Sequence, residues 1–132
     1  MHEGHEGLSD RTEAVGRSVV DACLKIHRSL GPGLLESAYE LCLAHELERR
    51  GHSVTRQVVL PIVFEDIRLD AGYRIDLLVD DLVVIEVKAT EDLAPVHEAQ
   101  LLTYLRLSGR RLGFLVNFNV SLMKRGIQRR VL

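Results

Sequence analysis

At Gly51 the spacing of apolar residues changes from helical to alternating, and this change divides the chain into segments that must fold in different ways. Ahead of it, Val15, Val19, Ala22, Cys23, Ile26 and Leu30 recur at helical spacing and predict a helix over 11–30, with Asp10 and Glu13 in the positions of a capping box. Gly31-Pro32-Gly33 stops that helix, because proline disfavours helical backbone in the residue before it and glycine permits the turn. A second helix follows over 35–50, with Gly51 at its C′ position. Beyond Gly51, Val54, Arg56, Val58 and Leu60 alternate with Thr55, Gln57 and Val59. A piece over 62–69 carries a turn candidate at Glu65-Asp66, and runs over 73–79 and 82–88 flank Asp80-Asp81. These read as strands in a meander. Pro95 opens a third helix ending near Ser108 and Gly109. The nearly continuous apolar run over 112–118 has the length of a strand covered on both faces, and a turn near 122–125 leads to a last strand over 127–131. This order predicts an α/β sandwich around one central mixed β-sheet flanked by α-helices.

With 132 residues, 46% of them hydrophobic, the chain can bury a core without metal or disulfide staples, and we expect one domain over 11–132 behind a flexible tail over 1–10. The tail repeats His-Glu-Gly; His2 and His5 could touch one metal, but nothing around them supplies a scaffold. No apolar run approaches the length of a membrane helix, and the N-terminus lacks the pattern of a signal peptide. Cys23 and Cys42 sit in helix-like apolar patterns and read as buried free thiols, so the expected location is the cytoplasm.

The net charge of -2 argues against coating nucleic acid by bulk electrostatics, yet it conceals a polarity. All 19 acids lie at or before Glu98, while Arg106, Arg110, Arg111, Lys124, Arg125, Arg129 and Arg130 fill the last 34 positions with no acid among them. Two readings stay open: a face that is solvated or paired internally with acids, or a surface that meets phosphates.

Chemistry is concentrated around Glu86-Val87-Lys88. Period two puts Glu86 and Lys88 on one face of a strand, about 6.5 Å apart, in a segment otherwise made of Val and Ile, where ions are expensive unless paired or bound to a cation. Asp76 interrupts a similar strand ten residues earlier. A two-residue turn at Asp80-Asp81 would oppose Asp76 to Ile85 and point the two carboxylates apart. A three-residue loop over 80–82 opposes Val79 to Val83 and brings Asp76 opposite Glu86, so an odd loop or a bulge is expected. Without such a site, Asp76, Glu86 and Lys88 would be an internal salt-bridge cluster.

Further residues single out the chain. Gly33, Glu36 and Tyr39 open the second helix in a Gly-x-x-Glu-x-x-Tyr pattern; Asp76 and Glu86-Val87-Lys88 follow, then Gln100-x-x-x-Tyr104 on one face with His97, then Gly113-Phe114-Leu115-Val116-Asn117-Phe118. In this order they closely resemble the GxxExxY protein family of the PD-(D/E)XK nuclease superfamily, over nearly the whole chain. The resemblance implies a restriction-endonuclease-like core with Mg²⁺ or Mn²⁺ held by acidic residues. By position, Glu36 resembles the helical acid of the metal site, Asp76 and Glu86 the two strand carboxylates, and Lys88 the motif lysine. Gln100 and Tyr104 resemble the Gln-x-x-x-Tyr helix of the exonuclease branch. Ile75, not proline, precedes Asp76.

These residue types suit phosphodiester hydrolysis: hard carboxylates recruit Mg²⁺ or Mn²⁺, and the cation activates water and neutralises the phosphate. Lys88, beside two carboxylates, is favoured in its charged form and suits an electrostatic role. Tyr39 and Gly33 read as packing and turn residues, and His97 as a surface residue at a helix start. The expectation is a metal-dependent nuclease acting on DNA, with catalytic candidates Glu36, Asp76, Glu86, Lys88, Gln100 and Tyr104. The alternative is an inactive nuclease-like domain that binds nucleic acid or a protein. The chain's 132 residues leave little room for a separate recognition domain, and the resemblance implies a homodimer or a targeting partner, since many such cores act in pairs.

Overall fold

The structure, a computed structural model, describes residues 7–132; the expectation for His2 and His5 lies outside them. Helices α1 (Asp10–Leu30) and α2 (Glu36–Arg49) are followed by strands β1 (Val54–Val59), β2 (Ile62–Phe64), β3 (Ile67–Leu69), β4 (Arg74–Val79) and β5 (Val83–Lys88). Helix α3 (Pro95–Ser108), β6 (Leu112–Asn117), a 3-10 turn (Met123–Arg125) and β7 (Ile127–Val131) complete the chain. Five strands form one mixed sheet in the order β1-β4-β5-β6-β7, parallel only between β5 and β6, which α3 connects. The expected meander is corrected here: β1 pairs antiparallel with β4, and β2 and β3 leave the sheet as a separate hairpin. Leu60 remains tied to the sheet through its N–H, which donates to Tyr73 O at 3.0 Å, so the hairpin is an excursion between two paired strands.

The sheet is covered on both sides. Val15, Val19, Cys23 and Ile26 of α1 and Tyr39, Leu43 and Leu47 of α2 pack on Leu77, Val79, Ile85, Val87, Phe114 and Val116. Leu101, Tyr104 and Leu105 of α3 pack on Ile75, Val84 and Leu115 of the other face. Close approach explains two glycines: a Cβ at Gly16 would meet Leu112 at 2.9 Å, and one at Gly113 would meet Leu101 at 2.9 Å. Both cysteines are free; Cys23 is fully buried, and burial pushes its thiol up to about 12, so it is inert packing. No helix among the described residues is long and apolar enough to cross a membrane.

Two details at the N-terminus differ from the sequence expectation. The N-cap of α1 is Ser9, whose Oγ accepts from Thr12 N at 3.1 Å, in place of an Asp10-Glu13 box; Glu13 instead accepts from Arg129. Packing also starts before residue 11, because Leu8 is buried in the core and Gly7 O accepts from Arg111 at 2.9 Å. The Gly31-Pro32-Gly33 turn is fastened by Tyr39, whose hydroxyl donates to Gly31 O and accepts from Leu34 N at 3.1 Å. Its ring stacks on Phe118 with centroids 4.5 Å apart.

Candidate active site

The site is created by a defect in an otherwise regular sheet. Between β1 and β4 the pairs Arg56↔Leu77 and Val58↔Ile75 form, but the intervening Gln57 and Asp76 do not pair, and Gln57 has φ +52. Side-chain alternation therefore breaks in both strands: Leu77 is buried under α1 and α2, whereas Ile75, two residues away, is buried under α3. On the other side of β4 the register is Val79↔Val83, Leu78↔Val84 and Leu77↔Ile85. The loop is thus the three-residue one over 80–82. Asp80 and Asp81 both take left-handed backbone, at φ +52 and +58, which aspartate tolerates better than most residues. Asp80 is held further by Ser53 N at 2.8 Å and His52 Nδ1 at 2.6 Å.

That register brings Asp76 level with Glu86, where the ladder gives way to side chains. Asp76 N donates to Glu86 Oε2 at 2.9 Å, and Val87 N donates to Asp76 Oδ2 at 2.8 Å. Each carboxylate thus accepts from the main chain of the other's strand, and both are fixed by backbone rather than by flexible contacts. Glu86 is only 3% exposed. Burial first, and the Asp76 charge second, push its carboxyl up to about 8; burial likewise raises Asp76. Lys88, at the mouth, acts in the opposite sense on both.

A third carboxylate, missed in the sequence, joins them from α2. Glu40 is 6% exposed, accepts from Arg56 Nη2 and Gln57 Nε2 at 2.8 Å each, and its charge raises both Asp76 and Glu86. The Gln57 amide also donates to Asp76 Oδ1 at 3.3 Å, bridging the two acids. The signal was present: Glu40, Leu43, Ala44 and Leu47 stand at i, i+3, i+4 and i+7, so an acid occupies the buried stripe of α2. Glu36, expected to be the helical acid, lies one turn earlier, exposed, with no hydrogen bond or ion pair among the described residues. The first turn of α2 points it to solvent, and the carboxylate coupled to the strand pair is Glu40.

Gln100 and Tyr104 face the site from α3. Gln100 Nε2 donates to Tyr104 Oη at 3.0 Å, and both line a groove of about 660 Å³ with Lys88, His97, Ile62 and Tyr73. Burial first, then the Glu86 and Asp76 charges, raise the Tyr104 hydroxyl, which stays a phenol at neutral pH. Asn117, 3% exposed at the end of β6, steadies the segment after Lys88: its amide donates to Thr90 O at 2.9 Å, and its Oδ1 accepts from Thr90 N at 3.1 Å.

The seven C-terminal cations do not converge on this site. Arg110 pairs with Asp81, Arg129 with Glu13, and Arg130 with Glu98 at 2.7 Å, while Arg111 donates to the carbonyls of Leu132 and Gly7. These four lie toward the Val83/Leu112 end of the sheet, away from Lys88, which stands beside Asn117. Three of the seven are thus paired with acids and a fourth is held by main-chain carbonyls. Arg106 is exposed on α3, and Lys124 and Arg125 are exposed in the 3-10 turn near Asn117. Among the described residues no three His, Cys, Asp or Glu side chains are disposed to share an ion; the carboxylates are turned to amides and to Arg56 instead.

A search of curated proteins and a search of solved structures each returned no match. A family model of the PD-(D/E)XK nuclease superfamily, PDDEXK_3, matches residues 13–130. That span takes in every element from α1 to β7, including the β4–β5 acid pair and the α3 groove, and the chain belongs to the PD-(D/E)XK nuclease superfamily.

Proposed function

We propose that the protein is a Mg²⁺- or Mn²⁺-dependent nuclease that hydrolyses phosphodiester bonds in DNA, as the resemblance to the GxxExxY family implies. The observation that carries this reading is the Asp76–Glu86 pair: two backbone-fixed carboxylates, side by side in the sheet, both held away from ionisation by burial, Glu86 further by the Asp76 charge and Asp76 by that of Glu40. A cation relieves that cost, and a hard oxygen donor pair suits Mg²⁺, which binds through one or two carboxylates and keeps waters and phosphate in its remaining positions. Asp76 and Glu86 would hold it, with Glu40, engaged by Arg56 and Gln57, as the neighbouring acid from the helix. The metal would supply a nucleophilic water and charge neutralisation at the phosphate.

The protein's own groups have distinct tasks. Lys88 brings an ammonium to the groove mouth, where it offsets phosphate charge. Tyr104 Oη already accepts from Gln100, so its proton is available to a phosphate oxygen in the groove. Lys124 and Arg125 are the C-terminal cations placed to hold the backbone of a nucleic acid at the Lys88 end; Arg106 serves from α3.

The test is isothermal titration of Mn²⁺ and Mg²⁺ into wild type and Glu86→Ala, followed by incubation of both with labelled single- and double-stranded DNA. Metal binding lost in the variant, with metal-dependent cleavage by wild type alone, is the expected result. Absence of metal binding in the wild type would make the acids a structural network and the protein a non-cleaving binding domain.

A further inference from the structure

Beside the site stands an apolar surface that the core does not use. In the β2–β3 hairpin the pairs Ile62↔Leu69 and Phe64↔Ile67 put all four side chains on one face, because directly opposed and alternate residues share a side. Three are largely open: Phe64 is 64% exposed, Ile67 51% and Leu69 48%. The fourth, Ile62, lines the groove with Lys88, Gln100 and Tyr104, so this face continues the groove wall. Tyr73 lines the same wall and meets Tyr104 edge-on, with ring centroids 6.5 Å apart.

We infer that this hairpin face and Tyr73 receive unpaired bases, and that the site acts on single-stranded nucleic acid in preference to duplex. The inference rests on the nuclease reading of the groove. A strand whose phosphate sits at Lys88 must pass the hairpin. A duplex presents phosphates and sugars to such a wall, and apolar side chains gain nothing by desolvating them. A single strand turns its backbone to the cation and its base faces to the aromatic and aliphatic side chains. The ion pairs agree: Arg110, Arg129 and Arg130 are engaged by acids, which withdraws three of the seven C-terminal cations from duplex binding by charge.

The chain contains no tryptophan, so Phe64→Trp installs a sole indole reporter at an exposed position. Its emission and the anisotropy of labelled dT12 and of a 12-base-pair duplex are followed in Ca²⁺, which ligates the same oxygen donors. Quenching by dT12 and not by the duplex is expected, together with an affinity for dT12 weakened about five-fold or more in Phe64→Ala. Equal quenching by the duplex, or unchanged dT12 affinity in Phe64→Ala, overturns the inference. Metal-dependent cleavage that persists in Phe64→Ala then leaves the nuclease reading standing, and the Mn²⁺ titration reports on that reading separately. A concentration-dependent dimer in sedimentation, abolished by Phe64→Ala and accompanied by no quenching, would assign the face to a second copy and overturn the inference as well.

Discussion

Replacing Glu86 by glutamine should stabilise the metal-free protein while abolishing its function. Folded Glu86 titrates near 8 against an ordinary 4.5, chiefly through burial and then through the Asp76 charge. Above pH 4.5 the unfolded chain releases this proton and the folded chain keeps it, so the wild type loses stability as pH rises from 4.5 to about 8 and loses nothing further beyond. Each pH unit climbed within that window costs the folded state about 1.4 kcal/mol, giving roughly 3 kcal/mol at pH 7 and somewhat more at pH 8. Glutamine mimics the protonated acid in volume and keeps an oxygen to accept from Asp76 N, so it escapes the cost without opening a cavity. Glu86→Gln should match wild type at pH 4.5 and exceed it by roughly 3 kcal/mol at pH 7, a rise in Tm on the order of 10 °C. Urea and thermal unfolding in EDTA across pH 4.5–8.5 measure the difference. A variant no more stable than wild type at pH 8 would refute the idea that burial and Asp76 load this carboxyl. Added Mn²⁺ should raise the Tm of wild type and leave Glu86→Gln unmoved.

Other perturbations read other parts of the fold. Gly126→Ala drives a Cβ into Asn117 O, a backbone atom that cannot step aside, and should cost about 3 kcal/mol or more by urea unfolding; a neutral result would mean the β6–β7 connection is looser than described. Asn117→Ala removes both hydrogen bonds to Thr90 and should destabilise by about 2 kcal/mol, with faster amide exchange at Thr90 as the local signature. Tyr104→Phe keeps the ring in its packing and loses the hydroxyl. It should leave the Tm within a few degrees and lower the rate of metal-dependent cleavage about 10- to 100-fold; an unchanged rate would remove the hydroxyl from the proposed chemistry.

The alternation of apolar residues placed the strands within a residue or two, and parity even constrained the β4–β5 loop: acids at 76 and 86 can be neighbours only across an odd loop, which is what Val79↔Val83 provides. Partner choice was not legible. Alternation says that 62–69 forms extended segments, not that they leave the sheet and that β1 skips over them to β4. Gln57 was equally opaque, because a left-handed residue in a strand carries no composition signature unless it is glycine, yet this kink opens the ladder for both carboxylates.

For Glu36 and for the arginines, neighbourhood along the chain and neighbourhood in the fold differ. Glu36 and Glu40 are one helical turn apart, and the face that α2 presents to the sheet, set by the burial of Leu43 and Leu47, takes Glu40 inside and leaves Glu36 exposed. The basic third looked segregated because no acid follows Glu98, but strand order undoes the segregation. β7 returns along β6 and brings Arg129 to Glu13 of α1 and Arg130 to Glu98 of α3, while Arg110 reaches Asp81 at the loop between β4 and β5. These pairs are at least partly exposed and contribute little stability individually. Their effect is to leave positive charge local, at Lys88 in the groove beside the apolar hairpin wall, and at Lys124 and Arg125 near Asn117. A groove so composed favours a ligand whose charge and apolar surface are separable, which a single strand is and a duplex is not.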